Sequence, residues 1–497
     1  MPAPNAMQQH QQVPLKIVGG NKFGRYPKIS VEQTFNMIVS DDALVPYAGY
    51  KVVFDQLSPT NKGRGLYASS RGNLMVAVWG SGVYKLTLSG GVFSYVFIGF
   101  LDTTAGDVYM AENNNNQIAI TDGINIYGYK WSDPPALLSS NGAGITIPAG
   151  LKNPGYISFQ NGRFIVSDTT SKNWYLSAAN DVTSFPSTAQ FQGSLESKPD
   201  TVQAVFPTPG GGNNIVVFGH TVIEQWQDIG AALFPYQRSS TSNIDFGTIN
   251  ASSIAALDSY VVWLAVNESS GVSLMIYAGN NAQRISMDGL DYKLASLSAP
   301  EDCTAFLFRQ DGHIIYQFTF ITDNLSYIYD LTTQQFFTVT DENLNHHIAK
   351  NVVFFQNKYY FVSLNGGDLY EFGSNITFME YASLVRHIIP QIRITNPIRL
   401  PNQSMFIIKS ASFTVENGQQ ASPIVPPSTS ASIDLSISRN GGESFGSAVR
   451  IDSNPSGQRR SRLIYQKLGQ ANDATFQIRF IGYQRFVAFD GVVEIYQ

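Results

Sequence analysis

The sequence predicts an all-β protein, a β-propeller of six or seven divergent blades followed by a C-terminal β-sandwich-like domain. Three observations carry that prediction. Charged residues make up only 14% of the 497 positions, against roughly 25% in an average soluble domain. Glycine (42), tyrosine (25) and phenylalanine (32) are abundant, and they suit turns and half-buried strands better than helix surfaces. Finally, one outline returns along most of the chain: an apolar strand, a tight turn, and a second strand with aromatic residues. Its period of roughly 45–50 residues is near the length of a four-stranded blade.

The elements follow in order. Residues 1–29 are polar, Gln-rich at the start and without periodicity, and read as an arm that orders only against a partner. Their opening, MPAPNAMQQHQQVPLK, lacks the apolar centre of a secretion signal, and no run of about 18 apolar residues predicts a membrane helix. The stretch from Phe35 to Phe54 begins the folded part, with a turn at Pro46-Tyr47-Ala48-Gly49. Seven hairpins then follow, at Leu74–Leu88, Gln117–Trp131, Asn161–Ala178, Ile215–Gln225, Ser259–Gly279, Gly312–Leu331 and Lys358–Phe372. The second turns at Asp122-Gly123, a strong hairpin signal. The fourth is read as strands Ile215–Phe218 and Thr221–Gln225 joined at Gly219-His220, with Gly219 supplying a positive φ. Seven hairpins imply six or seven blades over residues 30–384, with edges protected by radial closure. Two stacked sheets with regular hairpins are the alternative, since periodicity does not reveal closure.

Beyond Phe372 the pattern changes. Arg386, Arg393 and Arg399 punctuate apolar segments, and Gly418–Thr429 is a Pro/Ser-rich loop. Ile433–Phe445, Arg459–Gly469 and Thr475–Tyr496 then read as long antiparallel strands, so residues 385–497 are expected to form a separate β-domain.

Candidate chemistry is sparse. The net charge is −5 and the pI about 5.7, without the basic stripe expected of a tight nucleic-acid binder. The densest basic cluster is Arg459, Arg460 and Arg462, which suits either a channel or subunit contact or a solvated strand end. Ser438–Phe445 resembles the Asp-box turn of sialidase-type propellers, with Asn440 where Asp is usual, and reads as a structural hairpin turn. Glycoside hydrolysis needs a carboxylate pair, and no spacing among the 37 acids singles one out. His346 and His347 would point to opposite faces of a strand and cannot easily grip one metal; a solvated loop is expected. The run Gly210-Gly211-Gly212-Asn213 precedes a strand, not the helix N-terminus of a phosphate cradle. Cys303, the single cysteine, lies beside Glu301 and Asp302, which would raise its pKa; it allows no intrachain disulfide. Asn113–Asn116 reads as a polar loop tip. No catalytic residue, cofactor site or metal site is therefore predicted.

A family resemblance rests on the order of several stretches: FNMIV, VPYAGYK, RGLYASSRGNLMVAVWGSGVYKL, NGRFIVSD, NWYLSAANDVTSF, KPDTVQAV, VVFGHTVIEQWQDIG and FPYQR. Trp226 with Phe234-Pro235 eight residues on is the most distinctive piece, and LSISRNGGESFGSAVRI followed by RRSRLIYQKLG extends the likeness to the C-terminus. Together they resemble the tail-hub, or nozzle, protein of short-tailed bacteriophages, also called the packaged-DNA stabilisation protein. The resemblance implies a structural protein of the virion tail, made in the host cytoplasm. It implies a ring, usually of six copies, below the portal and adaptor, around the DNA exit channel and holding tail fibres, spikes or a plug. A propeller-type glycan-binding protein or glycosidase is the alternative reading.

Overall fold

The computed structural model describes residues 10–25, 32–54, 61–142, 144–208, 212–231, 234–278, 281–382, 384–419, 431–452 and 460–497. Strands take 54% of the chain and helix 4%.

Each of the seven predicted hairpins is the middle pair of a four-stranded blade, five of them free-standing sheets and the last two parts of larger sheets. Six blades use four consecutive strands, spanning 63–100, 109–139, 154–194, 202–244, 255–284 and 304–338. A seventh four-stranded unit has three strands of its own within 349–373. Its outermost strand is Gly49–Phe54, which precedes blade 1 in sequence and pairs as Phe372↔Tyr50 and Glu371↔Lys51. Chain segments from both ends of the propeller thus share one blade and close the circle. The first strand of blade 7, Ala349–Phe355, packs against the first strand of blade 1, Gly63–Ala68.

The middle strands are continuous apolar runs because both faces of each blade are covered. Alternation divides their side chains between two neighbours. In blade 1, Met75, Ala77 and Trp79 pack towards blade 7 with Tyr360 and Val362. Leu74, Val76 and Val78 pack towards blade 2 with Ile118 and Ile120. In blade 4, Ile215 and Val217 join Trp174 of blade 3, whereas Val216 and Phe218 join Trp263 of blade 5. The protein therefore has an apolar core between successive blades, separate at six of the seven junctions, whereas the core between blades 6 and 7, with Phe306, Phe308, Phe361 and Phe372, runs on into the sandwich.

The remaining strands build two facing sheets. One orders His10–Leu15, Gly491–Tyr496, Phe406–Gln419, Arg485–Ala488, Ala43–Pro46 and Met37–Ser40, with Arg460–Ala471 also on Phe406–Gln419. The other runs Gln33–Phe35, Gln391–Ile394, Thr475–Ile481, Ser432–Ser438 and Val449–Asp452, and continues into blade 6 through the parallel pair Phe35↔Thr338. Ala411, Phe413 and Val415 of one sheet share a core with Ile433, Leu435, Phe476 and Ile478 of the other, the packing of a sandwich.

Three expectations need correction. Residues 10–15 are not an arm awaiting a partner: they pair residue by residue with the chain's own last strand, from His10↔Tyr496 to Leu15↔Gly491. Residues 1–9 lie outside the described residues. Residues 33–46 belong to the sandwich sheets rather than the propeller, so no single cut in sequence separates the two parts. At the fourth hairpin the strands are Asn214–Gly219 and Ile223–Asp228, and Gly219 is not among the positive-φ residues. Glycine is needed there for room: an added Cβ would lie 2.5 Å from the Asp200 carboxylate, which accepts hydrogen bonds from Thr221 N and Oγ1.

Buried polar clamps hold the sandwich to the propeller, and the N-terminal segment to the sandwich. Tyr47 Oη donates to Gln317 Oε1 (2.6 Å), and Gln310 accepts from Ala48 N while donating to the Pro46 carbonyl. Asn36, at φ 53°, donates to Thr340 Oγ1 and accepts from Thr340 N. Arg393, fully buried, places one guanidinium nitrogen 2.9 Å from Glu32. Its other hydrogen bonds reach Thr34 Oγ1 and the carbonyls of Gly20 and Lys16.

Candidate functional site

A propeller's usual ligand position is the axis, where the first strands of the blades converge. Here that axis holds a cavity of about 170 Å³ lined by Arg64, Asp107, Tyr109, Tyr156, Ser252 and Lys350, among others. A hollow of about 530 Å³ adjoins it, sharing Arg64, Asp107 and Lys350 and adding Lys62 and Asp302.

The charged groups Arg64, Asp107 and Lys350 that line the cavity are already engaged within the chain. Lys350 Nζ donates to Asp107 Oδ1 at 2.5 Å, and Asp107 also accepts from the Ser252 hydroxyl. Burial pushes the Asp107 carboxyl up, but the Lys350 ammonium and the hydrogen bonds from Lys350 and Ser252 outweigh it and hold it below the usual range. Arg64 spends its five N–H groups on the carbonyls of Gly80, Thr103, Ala105 and Gly106 and on Thr103 Oγ1, all at 2.7–2.8 Å. Burial lowers its pKa while the charges of Asp122 and Asp107 pull it back up. The axis thus carries a neutralised ion pair and an arginine tied to backbone, and among the described residues that line it no pair of free carboxylates of the kind a glycosidase uses is found. Sequence reasoning singled out neither Arg64, Asp107, Ser252 nor Lys350, and it met Asp122 and Asp302 only as a turn residue and as a neighbour of Cys303. Lys350 and Asp107 are 243 positions apart, and only blade closure brings them together.

Two of the three arginines of the predicted cluster are described. Arg459 lies outside the described residues. Arg460 and Arg462 begin the outer strand Arg460–Ala471 of the sandwich, opposite Glu416 and Thr414. Arg460 pairs with Glu416 at 3.2 Å and covers the Phe489 ring at 5.3 Å. Arg462 donates to Ser412 Oγ at 3.3 Å.

The other motifs resolve into structural roles, with one correction. Ser438–Phe445 is a polar turn in which Asn440 Oδ1 accepts from Ser444 N and Ser438 Oγ accepts from Gly442 N, with Gly441 and Gly442 at φ 75° and 90°. Asn113 Oδ1 accepts from Asn115 N and Gln117 N and so shapes its loop tip. Gly210 and Gly211 lie outside the described residues. Cys303 is buried, and burial first, then the Asp302 charge, raises its thiol pKa. His347 does not sit on a solvated loop. It is fully buried among Tyr47, Tyr50, Phe361 and Phe372. Burial, with a smaller push from His346, lowers its pKa to about 3. Among the described residues no group of three or more His, Cys, Asp or Glu is placed to hold a metal. No helix among them is long and apolar enough to cross a membrane.

No curated protein sequence matches this chain. Among solved structures, the computationally designed Ika8 protein is similar at 12% identity, a TM-score of 0.38, and coverage of 72% of this chain and 99% of that one. The RRP9 WD40 repeats give 10%, 0.41, 65% and 97%. The extracellular domain of the putative hybrid two component system BT4673 from B. thetaiotaomicron gives 11%, 0.43, 86% and 60%. The family model described as "Bacteriophage P22 Gp10, beta-propeller" matches residues 11–377. The closed propeller lies within those residues, and this chain belongs to the phage stabilisation family of P22 Gp10, structural proteins of the phage tail.

Proposed function

We propose that copies of this chain, six in number, form the nozzle ring of a short-tailed phage virion, a conduit that retains the packaged genome and releases it. In this reading the portal–adaptor proteins dock above the ring and fibre, spike or plug proteins below. The protein acts as a wall and an anchor, without catalysis or cofactor.

The observation that carries this reading is the blocked axis of the single propeller. A cavity of about 170 Å³ closed by Lys350 and Asp107 cannot pass a duplex whose major groove alone is about 12 Å wide. In this reading DNA runs between copies, and each propeller serves as a rigid strut. The apolar cores between blades and the clamps to the sandwich support such a role. The low charge density also fits, because a wall that lets a polyanion slide should lack strong cationic traps.

The reading is tested by imaging tails purified from the phage and by native mass spectrometry of the purified chain. Six copies around a central bore, with particles that lose DNA when the protein is withheld, are expected. A chain that appears once per tail, or away from the DNA path, refutes the ring.

A further inference from the structure

We propose that the outer strand of blade 1, Val92–Phe100, is a permanent contact between neighbouring copies of this chain. The proposal rests on the ring reading above and names the surface through which copies join.

The strand is nine residues long, VFSYVFIGF, without a charge or a proline. Its inner side pairs with Gly82–Ser89, and among the described residues no strand pairs its outer side. Val92 is 70% exposed, Phe100 68%, Val96 44%, Tyr95 42% and Phe97 41%. Val92 and Val96 lie on one face of the edge and Tyr95 and Phe97 on the other, and with Phe100 they offer on the order of 500 Å² of largely apolar surface to a partner that wraps the edge.

A long, bare, apolar edge invites uncontrolled pairing, and proteins normally blunt such edges. This chain does so elsewhere. The outer strands of blades 2 and 3, Leu137–Ser139 and Gln192–Ser194, have only three residues. Those of blades 4 and 5 carry Arg238 and Arg284. In blade 6, Gln335–Thr338 is joined by Gln33–Phe35, and in blade 7, Gly49–Phe54 is joined by Phe378–Glu380. The long sandwich strand Arg460–Ala471 carries Arg460, Arg462 and Lys467. Blade 1 is the exception, which fits an edge that is covered once the protein is assembled.

Area and chemistry identify the occupant as a second copy. A stable interface takes roughly 800 Å² from each partner, and this strip supplies more than half of that. Permanent contacts between identical subunits are more apolar than contacts with exchanging partners. The strand has no cation to attract DNA. A neighbouring copy, present at every position of a ring, meets all three conditions.

The test uses the full-length chain in two measurements. Hydrogen exchange compares the amides of residues 92–100 in dilute monomer and in assembled ring, and exchange at least tenfold slower in the ring is expected. Sedimentation then compares wild type with Val92→Lys/Val96→Lys and with Ile124→Lys, a control exposed on a blade 2 turn. The doubly substituted chain should keep the wild-type circular dichroism and need at least a hundredfold higher concentration to assemble, whereas the control assembles normally. A ring that forms while residues 92–100 exchange as in the monomer overturns the contact and leaves the ring reading intact. So does a folded Val92→Lys/Val96→Lys chain that assembles like wild type. If that variant fails to fold, the exchange measurement on wild type decides. Protection that appears only when another virion protein is added assigns the strand to a foreign partner and overturns the proposal. A chain monomeric at every concentration and in isolated tails overturns the ring reading and this contact together.

Discussion

Arg393→Met should uncouple the N-terminal segment from the sandwich. The guanidinium is fully buried, and Glu32, its partner at 2.9 Å, has a side chain 5% exposed. Removing one member of a buried ion pair costs roughly 3–5 kcal/mol, because the other charge is left in a poor solvent. Here the loss is softened, since Lys22 Nζ remains 2.6 Å from Glu32 and is itself 58% exposed. The low end of the range, about 3 kcal/mol, is therefore expected. Adding Glu32→Gln removes the stranded charge and should recover about 2 kcal/mol of that loss, a coupling of the size seen for groups in direct contact. The five tryptophans, at 79, 131, 174, 226 and 263, all lie in blades 1 to 5 and do not report on the sandwich. Hydrogen exchange at residues 10–22 is the better local reading, with urea rather than guanidinium chloride as denaturant, since salt screens the pair. A loss below about 1 kcal/mol, or unchanged exchange at residues 10–22, would show that the pair does not hold the segment.

Three further outcomes are expected. The imidazole of His347, with a pKa lowered to about 3 by burial, stays neutral in the fold while the unfolded chain takes up a proton below about 6.5. Stability is therefore complete above that value and lost as pH falls from about 6.5 towards 3, by about 2 kcal/mol at pH 5; His347→Gln should remove this component, as read from urea midpoints at pH 7 and 5. Gly193→Ala puts a Cβ 2.2 Å from the indole of Trp174, which is itself fully buried, so a loss of about 1–3 kcal/mol is expected from overpacking, visible as a lower melting temperature and altered tryptophan emission. By contrast Arg460→Ser should shift stability by less than about 1 kcal/mol, because its partner Glu416 is 43% exposed and its own side chain 65%, the range of exposed pairs; a larger drop on thermal melting would give this arginine a structural role that its geometry does not supply.

Much of the propeller was legible because its signal is local. A strand covered on both faces must be apolar throughout, and a tight turn must carry glycine, asparagine or aspartate. Runs such as Met75–Trp79 and Asn214–Gly219 therefore stand out with their turns. The hairpin formed where Asp122-Gly123 marks it, as the longer loop 122–125, with Gly123 at φ 89° and Asp122 Oδ1 accepting from Ile124 N and Asn125 N. Gly219 misled because a glycine kept for close packing looks the same in sequence as one kept for a positive φ.

By itself the sequence determined the all-β class, the seven hairpins and the family, each written in neighbouring residues or in their order. The tertiary structure alone decided how the circle closes, with Gly49–Phe54 completing the last blade and His10–Leu15 pairing with the last strand. It alone placed Lys350 on Asp107 and Arg393 on Glu32. Those contacts join residues hundreds of positions apart, and their partners are chosen by the closed geometry of the chain, which local pattern does not encode.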